Sequence, residues 1–249
     1  MSSRKEEKER LREARVEAEK QALSTERKRL WLGYAVAGVL AGAVLVAIVV
    51  IVARGGGDDP VNEGGGAAGI DMTSGTVPKD VEPDEREGTE LSEGVFGASL
   101  EQAAEEAGCE LQQDLEDEGA SHLAQDADVP DYGTNPPTSG DHSPEPLADG
   151  AYSTTPSPLN YVHSLEHGRV ELQYDPKLPE ADQLEIKGLF DADPNGMLMF
   201  PNPELDGAVA ATAWTQLLSC PDYEGEATLK ALAAFRDAYR GQGPEALPL

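Results

Sequence analysis

The feature that most constrains this chain is a long stretch without a charged residue, which extends from Trp31 to Val52. It is rich in Val, Ala, Leu and Ile, and about 20 apolar residues suffice for a helix to cross the hydrocarbon core of a bilayer. Trp31 and Tyr34 lie at its start, where aromatic side chains favour the membrane interface. We therefore predict one membrane-spanning helix over residues 31–53, with the lipid bilayer as its partner.

The cations beside this stretch predict its orientation. The cluster Arg27–Arg29 precedes it, whereas only Arg54 follows closely. The positive-inside rule then places the N-terminus in the cytoplasm and everything after Arg54 outside it. A cleaved signal peptide is the alternative, but the apolar run is longer than a typical signal core and lacks a clear cleavage site. Gly38 and Gly42 form a GxxxG pair, which leaves a homodimer through this helix as a further alternative.

The segments on either side of the apolar stretch differ sharply in charge. Residues 1–30 carry ten Lys and Arg against seven Asp and Glu, whereas residues from 55 onward carry eight against forty. We predict a charged cytoplasmic helix over residues 1–30 and a disordered Gly-rich acidic linker over residues 54–94, because the linker has almost no bulky apolar residue. The acidity after the membrane segment excludes nucleic acid as a partner.

Residues 95–249 are predicted to form a compact extracytoplasmic α+β domain. Apolar spacing predicts helices near Leu100–Ala107, Pro179–Phe190 and Leu229–Tyr239. Alternating polar and apolar residues predict a half-buried strand at 169–174, and short apolar runs predict strands at 197–200 and 208–214. Between Asp126 and Pro158 the many prolines and glycines predict a long extended loop. This order of elements is typical of the α+β class.

The two cysteines, Cys109 and Cys220, both follow the predicted membrane helix. In an oxidising compartment two distant cysteines most often pair, so we predict a disulfide between them. The alternatives are two unpaired buried thiols or a thiolate metal ligand, but the sequence has no CxxC spacing of the redox or zinc kind.

The four histidines lie in one short window of the chain. His163 and His167 are four residues apart, which places both imidazoles on one face of a helical turn. His142 ends the Pro-rich stretch Asn135–His142, and His122 lies upstream of it. Imidazole suits Cu and Zn at neutral pH, and a site needs three or four ligands from converging segments. We therefore predict a Cu or Zn site formed by these four histidines; the alternative is that they form only structural hydrogen bonds.

Two carboxylates, Glu166 and Asp141, adjoin these histidines and could bind the metal directly or orient an imidazole by a hydrogen bond. Residues 163–167 also match H-x-x-E-H, the inverted zincin pattern, in which Glu is the general base. That pattern requires a full helix, whereas Pro156, Pro158 and Gly168 leave barely two turns. The sequence therefore favours metal binding over a peptidase.

Four stretches also resemble a family of bacterial membrane-anchored proteins whose shared extracytoplasmic module is described only as a domain of unknown function. The stretches are Asn135–His142 (NPPTSGDH), Tyr161–Val170 (YVHSLEHGRV), Ala208–Trp214 (AVAATAW) and Arg240–Glu245 (RGQGPE). The resemblance covers roughly Cys109 to Glu245. It implies that His142, His163 and His167 occupy motif positions, that His122 matches a more loosely placed histidine, and that Cys109 and Cys220 are family cysteines. It implies no activity.

Three functional hypotheses follow. The first is a tethered module that buffers, senses or delivers Cu or Zn. The second is a metal-dependent hydrolytic or oxidative enzyme that uses the same histidines with one open coordination position. The third is a protein-interaction domain without metal, in which the histidines only attach the Pro-rich loop to the core.

Overall fold

The computed structural model of the protein describes residues 70–124 and 127–249. The predicted cytoplasmic helix, the membrane-spanning segment, the Gly38–Gly42 pair and the first part of the linker lie outside the described residues. Among the residues that are described, no helix is long and apolar enough to cross a membrane.

The described chain forms an α+β domain with four α-helices and one mixed sheet of six strands, which confirms the predicted fold class. After a short 3-10 turn at Glu93–Val95, the elements in chain order are α1 (Leu100–Glu106), β1 (Glu110–Gln112), β2 (Gly150–Ala151), α2 (Pro158–Glu166), β3 (Val170–Tyr174), α3 (Glu180–Ala192), β4 (Met197–Pro201), β5 (Val209–Ala213), β6 (Gln216–Cys220) and α4 (Glu226–Tyr239).

The strand order across the sheet is β1-β6-β5-β3-β4-β2. Strands β3, β4 and β2 are parallel neighbours, whereas β5 is antiparallel to both β3 and β6, and β6 is antiparallel to β1. Parallel strands need a crossover, and helix α3 provides it between β3 and β4. Strands β1, β2 and β6 were not predicted. Strands β1 and β2 are only three and two residues long, and β6 follows β5 after a turn of two residues.

Helices cover both faces of the sheet. On one face, α1, α3 and α4 pack on residues such as Leu172, Met199 and Ala211. On the other face, α2 packs through Val162 and Leu165 against a second apolar cluster. Strand β3 is consequently buried at all five positions rather than half-buried as its alternation predicted.

The second face includes a buried polar network beside its apolar cluster. Glu171 and Gln173 pair in register with Leu198 and Phe200, so these side chains share the face that α2 covers. Glu171 accepts hydrogen bonds from Thr212 and Gln173. The alternating polar residues of β3 therefore point into protein, not into solvent.

Residues 70–94 belong to the domain, which differs from the predicted linker end near Gly94. Isolated bridges join Asp71 to Asp149, Thr76 to Leu147 and Pro83 to Tyr152. Near α3, a Cβ atom on Gly188 would lie 1.9 Å from the carbonyl oxygen of Thr89, so the close approach requires glycine. Backbone hydrogen bonds and a few scattered apolar side chains, such as the buried Val81, attach the segment to the domain. Apolar residues this sparse form no helical or strand pattern in the sequence.

The predicted disulfide between Cys109 and Cys220 is present. Cys109 precedes β1 and Cys220 ends β6, so the bond links the chain after α1 to the adjoining strand. Among the described cysteines none is free, which removes thiolate from the possible metal ligands.

Candidate metal centre

Helix α2 carries two of the predicted site residues, His163 and Glu166. Its start is well defined, because the Ser157 side chain accepts a hydrogen bond from the Leu159 N–H and Pro158 occupies the first helical turn. It ends at Glu166, and Gly168 two residues later has a φ of 80°, which suits glycine. Nine residues suffice to place His163 and Glu166, three positions apart, on one face.

The Pro-rich loop brings His142 and His122 to this helix. These two residues form a parallel bridge, in which the His142 N–H donates to the carbonyl of Ser121 and the His142 carbonyl accepts from Leu123. The Asp141 carboxylate accepts a hydrogen bond of 2.9 Å from the Ser121 N–H. Asp141 therefore holds the backbone of the segment that carries His122.

Three histidines and one glutamate converge at this point: His122, His142, His163 and Glu166, called here the inner group. One possible ligand atom from each residue lies within 4.8 Å of every other. The Glu166 Oε2 atom lies 3.1 Å from His142 Nε2, 3.8 Å from His163 Nε2 and 3.9 Å from His122 Nε2. The predicted convergence of the loop with the helix is thus present in the fold.

Two of these imidazoles are oriented by backbone carbonyls. His142 Nδ1 lies 2.8 Å from the Gly140 oxygen, and His163 Nδ1 lies 2.7 Å from the Ser143 oxygen. A carbonyl only accepts hydrogen bonds, so Nδ1 is the protonated nitrogen in both rings. In the neutral ring Nε2 therefore carries a lone pair that faces the inner group, the arrangement found in metal-binding histidines.

The inner group contains buried polar atoms without hydrogen-bond partners. His142 Nε2 and Glu166 Oε2 are both buried and unpaired, although they are only 3.1 Å apart. The short distance and the missing hydrogen bond are consistent, because a bare imidazole nitrogen and a carboxylate oxygen are both acceptors. Such buried atoms are costly unless a further group satisfies them.

A metal ion at the centre of the inner group would satisfy both atoms. Tetrahedral Zn²⁺ with bonds of about 2.0–2.1 Å separates its ligand atoms by about 3.3 Å. The distances of 3.1, 3.8 and 3.9 Å around Glu166 Oε2 bracket that length. Imidazole and carboxylate are also the ligand types that Zn²⁺ and Cu²⁺ accept.

The charge state of the helix histidines suits this role. Burial, together with the neighbouring His142 and His167, lowers the pKa of His163 to about 4, and the hydrogen bond to the Ser143 carbonyl opposes the shift only partly. Burial also lowers the pKa of His167, and Arg169 adds to the effect while Glu245 opposes it. Both rings are neutral at pH 7, as metal ligation requires.

The fourth predicted ligand, His167, lies beside the inner group rather than within it. Its Nε2 atom is 3.2 Å from His163 Nε2, and its ring contacts that of His163 edge-on. His167 forms an outer group with Glu166 and Glu245, in which possible ligand atoms again lie within 4.8 Å of one another. Glu245 was not singled out as a ligand, although the RGQGPE motif that contains it was noted.

Several other residues whose side chains can bind metals or take part in catalysis have structural roles. Met197 and Met199 belong to the core on the opposite face of the sheet. The hydroxyl of Ser139 accepts a hydrogen bond from the Glu118 N–H. Trp214 lies with its ring 6.4 Å from that of His142 in an edge-on arrangement, so it closes one side of the site.

Comparison with known proteins supports the resemblance seen in the motifs. A family described as "Protein of unknown function (DUF3105)" matches residues 122–247, a range that begins at His122 and includes the whole inner group. Neither the curated proteins nor the solved structures yield a match to the chain. Since the match spans just over half of the sequence, the protein belongs to the DUF3105 family.

Proposed function

We propose that the domain binds a divalent transition-metal ion through His122, His142, His163 and Glu166. One observation carries the proposal: His142 Nε2 and Glu166 Oε2 are buried, 3.1 Å apart, and without a hydrogen-bond partner. A carboxylate oxygen and an imidazole lone pair repel each other at this distance unless a proton or a cation lies between them. The fixed Nδ1 contacts of His142 and His163 keep both Nε2 atoms directed at the same point.

The donor set favours Zn²⁺ or Cu²⁺ over Cu⁺, Mg²⁺ and Ca²⁺. Three imidazoles and one carboxylate provide nitrogen and oxygen donors but no sulfur, so Cu⁺ is disfavoured. Mg²⁺ and Ca²⁺ prefer sites made wholly of oxygen ligands, which this group does not offer.

Four protein donors best fit non-catalytic metal binding, which serves the buffering, sensing or delivery of the metal outside the cytoplasm. Four protein donors complete a tetrahedral shell, and closed shells are typical of sites that do not catalyse reactions. We further propose that residues 31–53 tether this domain to the outer face of the membrane, as their uncharged sequence predicts.

A metal-dependent enzyme is the second candidate, and the exposure of His122 favours it. The His122 side chain is 49% exposed, whereas those of His142 and His163 are 0% and 4% exposed. A ligand at the solvent edge can leave and open a coordination position for water or substrate. Azide titrated into the Co²⁺-loaded protein distinguishes the two roles: a changed visible spectrum indicates an open position, and an unchanged spectrum a closed shell.

The metal content of the purified full-length protein tests the proposal. After loading with Zn²⁺ or with Cu²⁺ and gel filtration, the wild type should retain the metal, and His163→Ala and Glu166→Gln should retain much less. Glu105→Gln is the matched control, because Glu105 is an exposed glutamate on α1, at the opposite face of the sheet. Absence of zinc and copper from the wild type at saturating metal, or retention equal to wild type in both site variants, would disprove the proposal.

A further inference from the structure

The outer group contains a buried atom that the inner site does not explain. The Nδ1 atom of His167 is buried and has no hydrogen-bond partner. His163 carries its proton on Nδ1, so the lone pair of its Nε2 atom is the one that would bind the ion of the inner group. The Nε2 atom of His167, 3.2 Å away, then has no acceptor in His163, and the Nδ1 atom of His167 remains buried without a partner.

Two carboxylates lie beside the His167 ring. Glu166 and Glu245 each offer an oxygen within 4.8 Å of His167 and of each other. Glu166 reaches the inner group through Oε2. A carboxylate has two oxygens, so the same side chain can serve both groups at once, as bridging carboxylates do in two-metal sites.

The backbone holds Glu245 in this position. The Glu245 N–H donates to the carbonyl of Glu166, and the Leu247 N–H donates to that of His167, so the C-terminal segment caps the end of α2. A Cβ atom on Gly243 would lie 2.2 Å from the Glu166 carbonyl oxygen, so the close approach requires glycine. Glu245 is thus placed by main-chain contacts that do not involve its own side chain.

From these contacts we infer that the centre is dinuclear, with a second divalent ion held by His167, Glu166 and Glu245 and with Glu166 bridging the two ions. This inference rests on the proposed function, because it presupposes an ion in the inner group. The outer ligands are one imidazole and two carboxylates, a set that suits Zn²⁺ and leaves positions for water. Two-metal sites have ions about 3.5–4 Å apart, a spacing that one shared carboxylate can span.

Counting bound Zn²⁺ in the full-length protein by native mass spectrometry tests the inference. We expect two ions on the wild type, one on Glu245→Gln and none on Glu166→Gln, because Glu166 serves both groups. Glu245→Gln keeps the backbone bond to the Glu166 carbonyl, so the fold of the segment should persist. Glu105→Gln, with the same chemical change at an exposed position, should bind two ions.

The other outcomes distinguish a failure of this inference from a failure of the proposed function. One ion on the wild type would overturn the dinuclear centre and leave the proposed function standing. Two ions on both the wild type and Glu245→Gln would place the second ion elsewhere and also overturn it. No ion on the wild type would overturn both the inference and the function on which it rests.

Discussion

The buried carboxyl group of Glu171 predicts a specific dependence of stability on pH. Glu171 is fully buried on β3, and its Oε2 accepts hydrogen bonds of 2.8 Å from Thr212 and 2.9 Å from Gln173. Its Oε1 has no partner. Burial raises the pKa of this carboxyl well above its usual value, and the two hydrogen bonds only partly oppose the shift.

The sign of the effect follows from this raised pKa. In the unfolded chain the group ionises near pH 4.5, whereas in the folded domain it stays protonated to higher pH. The folded state then binds more protons, so the stabilising contribution is complete below pH 4.5 and is lost as pH rises towards the folded pKa. Where the folded state binds one proton more than the unfolded state, each unit of rising pH lowers the free energy of unfolding by about 1.4 kcal/mol.

Glu171→Gln removes the titrating carboxyl group, so its protonation no longer contributes to the pH dependence of stability. The amide of the variant leaves an unpaired NH₂ group where Oε1 lies, which costs a fixed amount of stability that does not vary with pH. The difference in unfolding free energy, variant minus wild type, should therefore rise by about 2.5 kcal/mol between pH 5 and pH 7 for a carboxyl that remains protonated over that range.

Urea unfolding at several pH values, followed by fluorescence with a metal chelator present, measures this difference. The subtraction cancels the contribution of every titrating group that the two proteins share. For the control Glu105→Gln, the free energy of unfolding should vary with pH in parallel with that of the wild type. Parallel curves for Glu171→Gln and the wild type would show that Glu171 titrates in the folded protein as it does in the unfolded chain, and the reasoning from burial would be refuted.

Three further predictions concern the disulfide, the bound ion and a buried ion pair. Replacing Cys109 and Cys220 together by Ser should lower the free energy of unfolding by about 5 kcal/mol in the loop-entropy account, because the bond closes a loop with a sequence separation of 111; urea unfolding checks this. Zn²⁺ at 100 times its Kd should raise the stability by about 2.7 kcal/mol and Tm by about 5–11 °C in calorimetry, and Glu166→Gln should abolish the shift. Asp149→Ala should cost about 3–5 kcal/mol in urea unfolding, because it leaves the 3% exposed Arg169 without its carboxylate partner. Lys177→Ala, which breaks the pair between the 81% exposed Lys177 and Asp175, should cost under about 1 kcal/mol.

The fold could be predicted from sequence where apolar residues recur with a clear period. Helices α3 and α4 were anticipated because their apolar residues recur at helical spacing and face one core. Strands β4 and β5 were anticipated because each is a short continuous apolar run, and β4 is buried by both cores. The very short β1 and β2 have no such signal, since a strand of two or three residues is defined by its neighbours. Residues 70–94 escaped prediction because backbone hydrogen bonds and only a few scattered apolar side chains, such as Val81 and Leu91, attach them to the domain.

The candidate site was predictable in its ligand types but not in their grouping. The scarcity and spacing of the histidines indicated that His142 and His163 should converge, and they do. The sequence could not show that Glu166 would lie nearer the centre of the inner group than His167, because that depends on where helix α2 ends. The orienting carbonyls of Gly140 and Ser143 are also invisible in sequence, since every residue has a carbonyl group.

The central claim is that three imidazoles and one carboxylate surround a metal ion, and a zinc anomalous difference map from a crystal of the zinc-loaded protein tests it most directly. The account predicts a peak about 2.0–2.2 Å from His142 Nε2, His163 Nε2 and a Glu166 oxygen. A map in which zinc binds only elsewhere, while these atoms surround no anomalous peak, would contradict it.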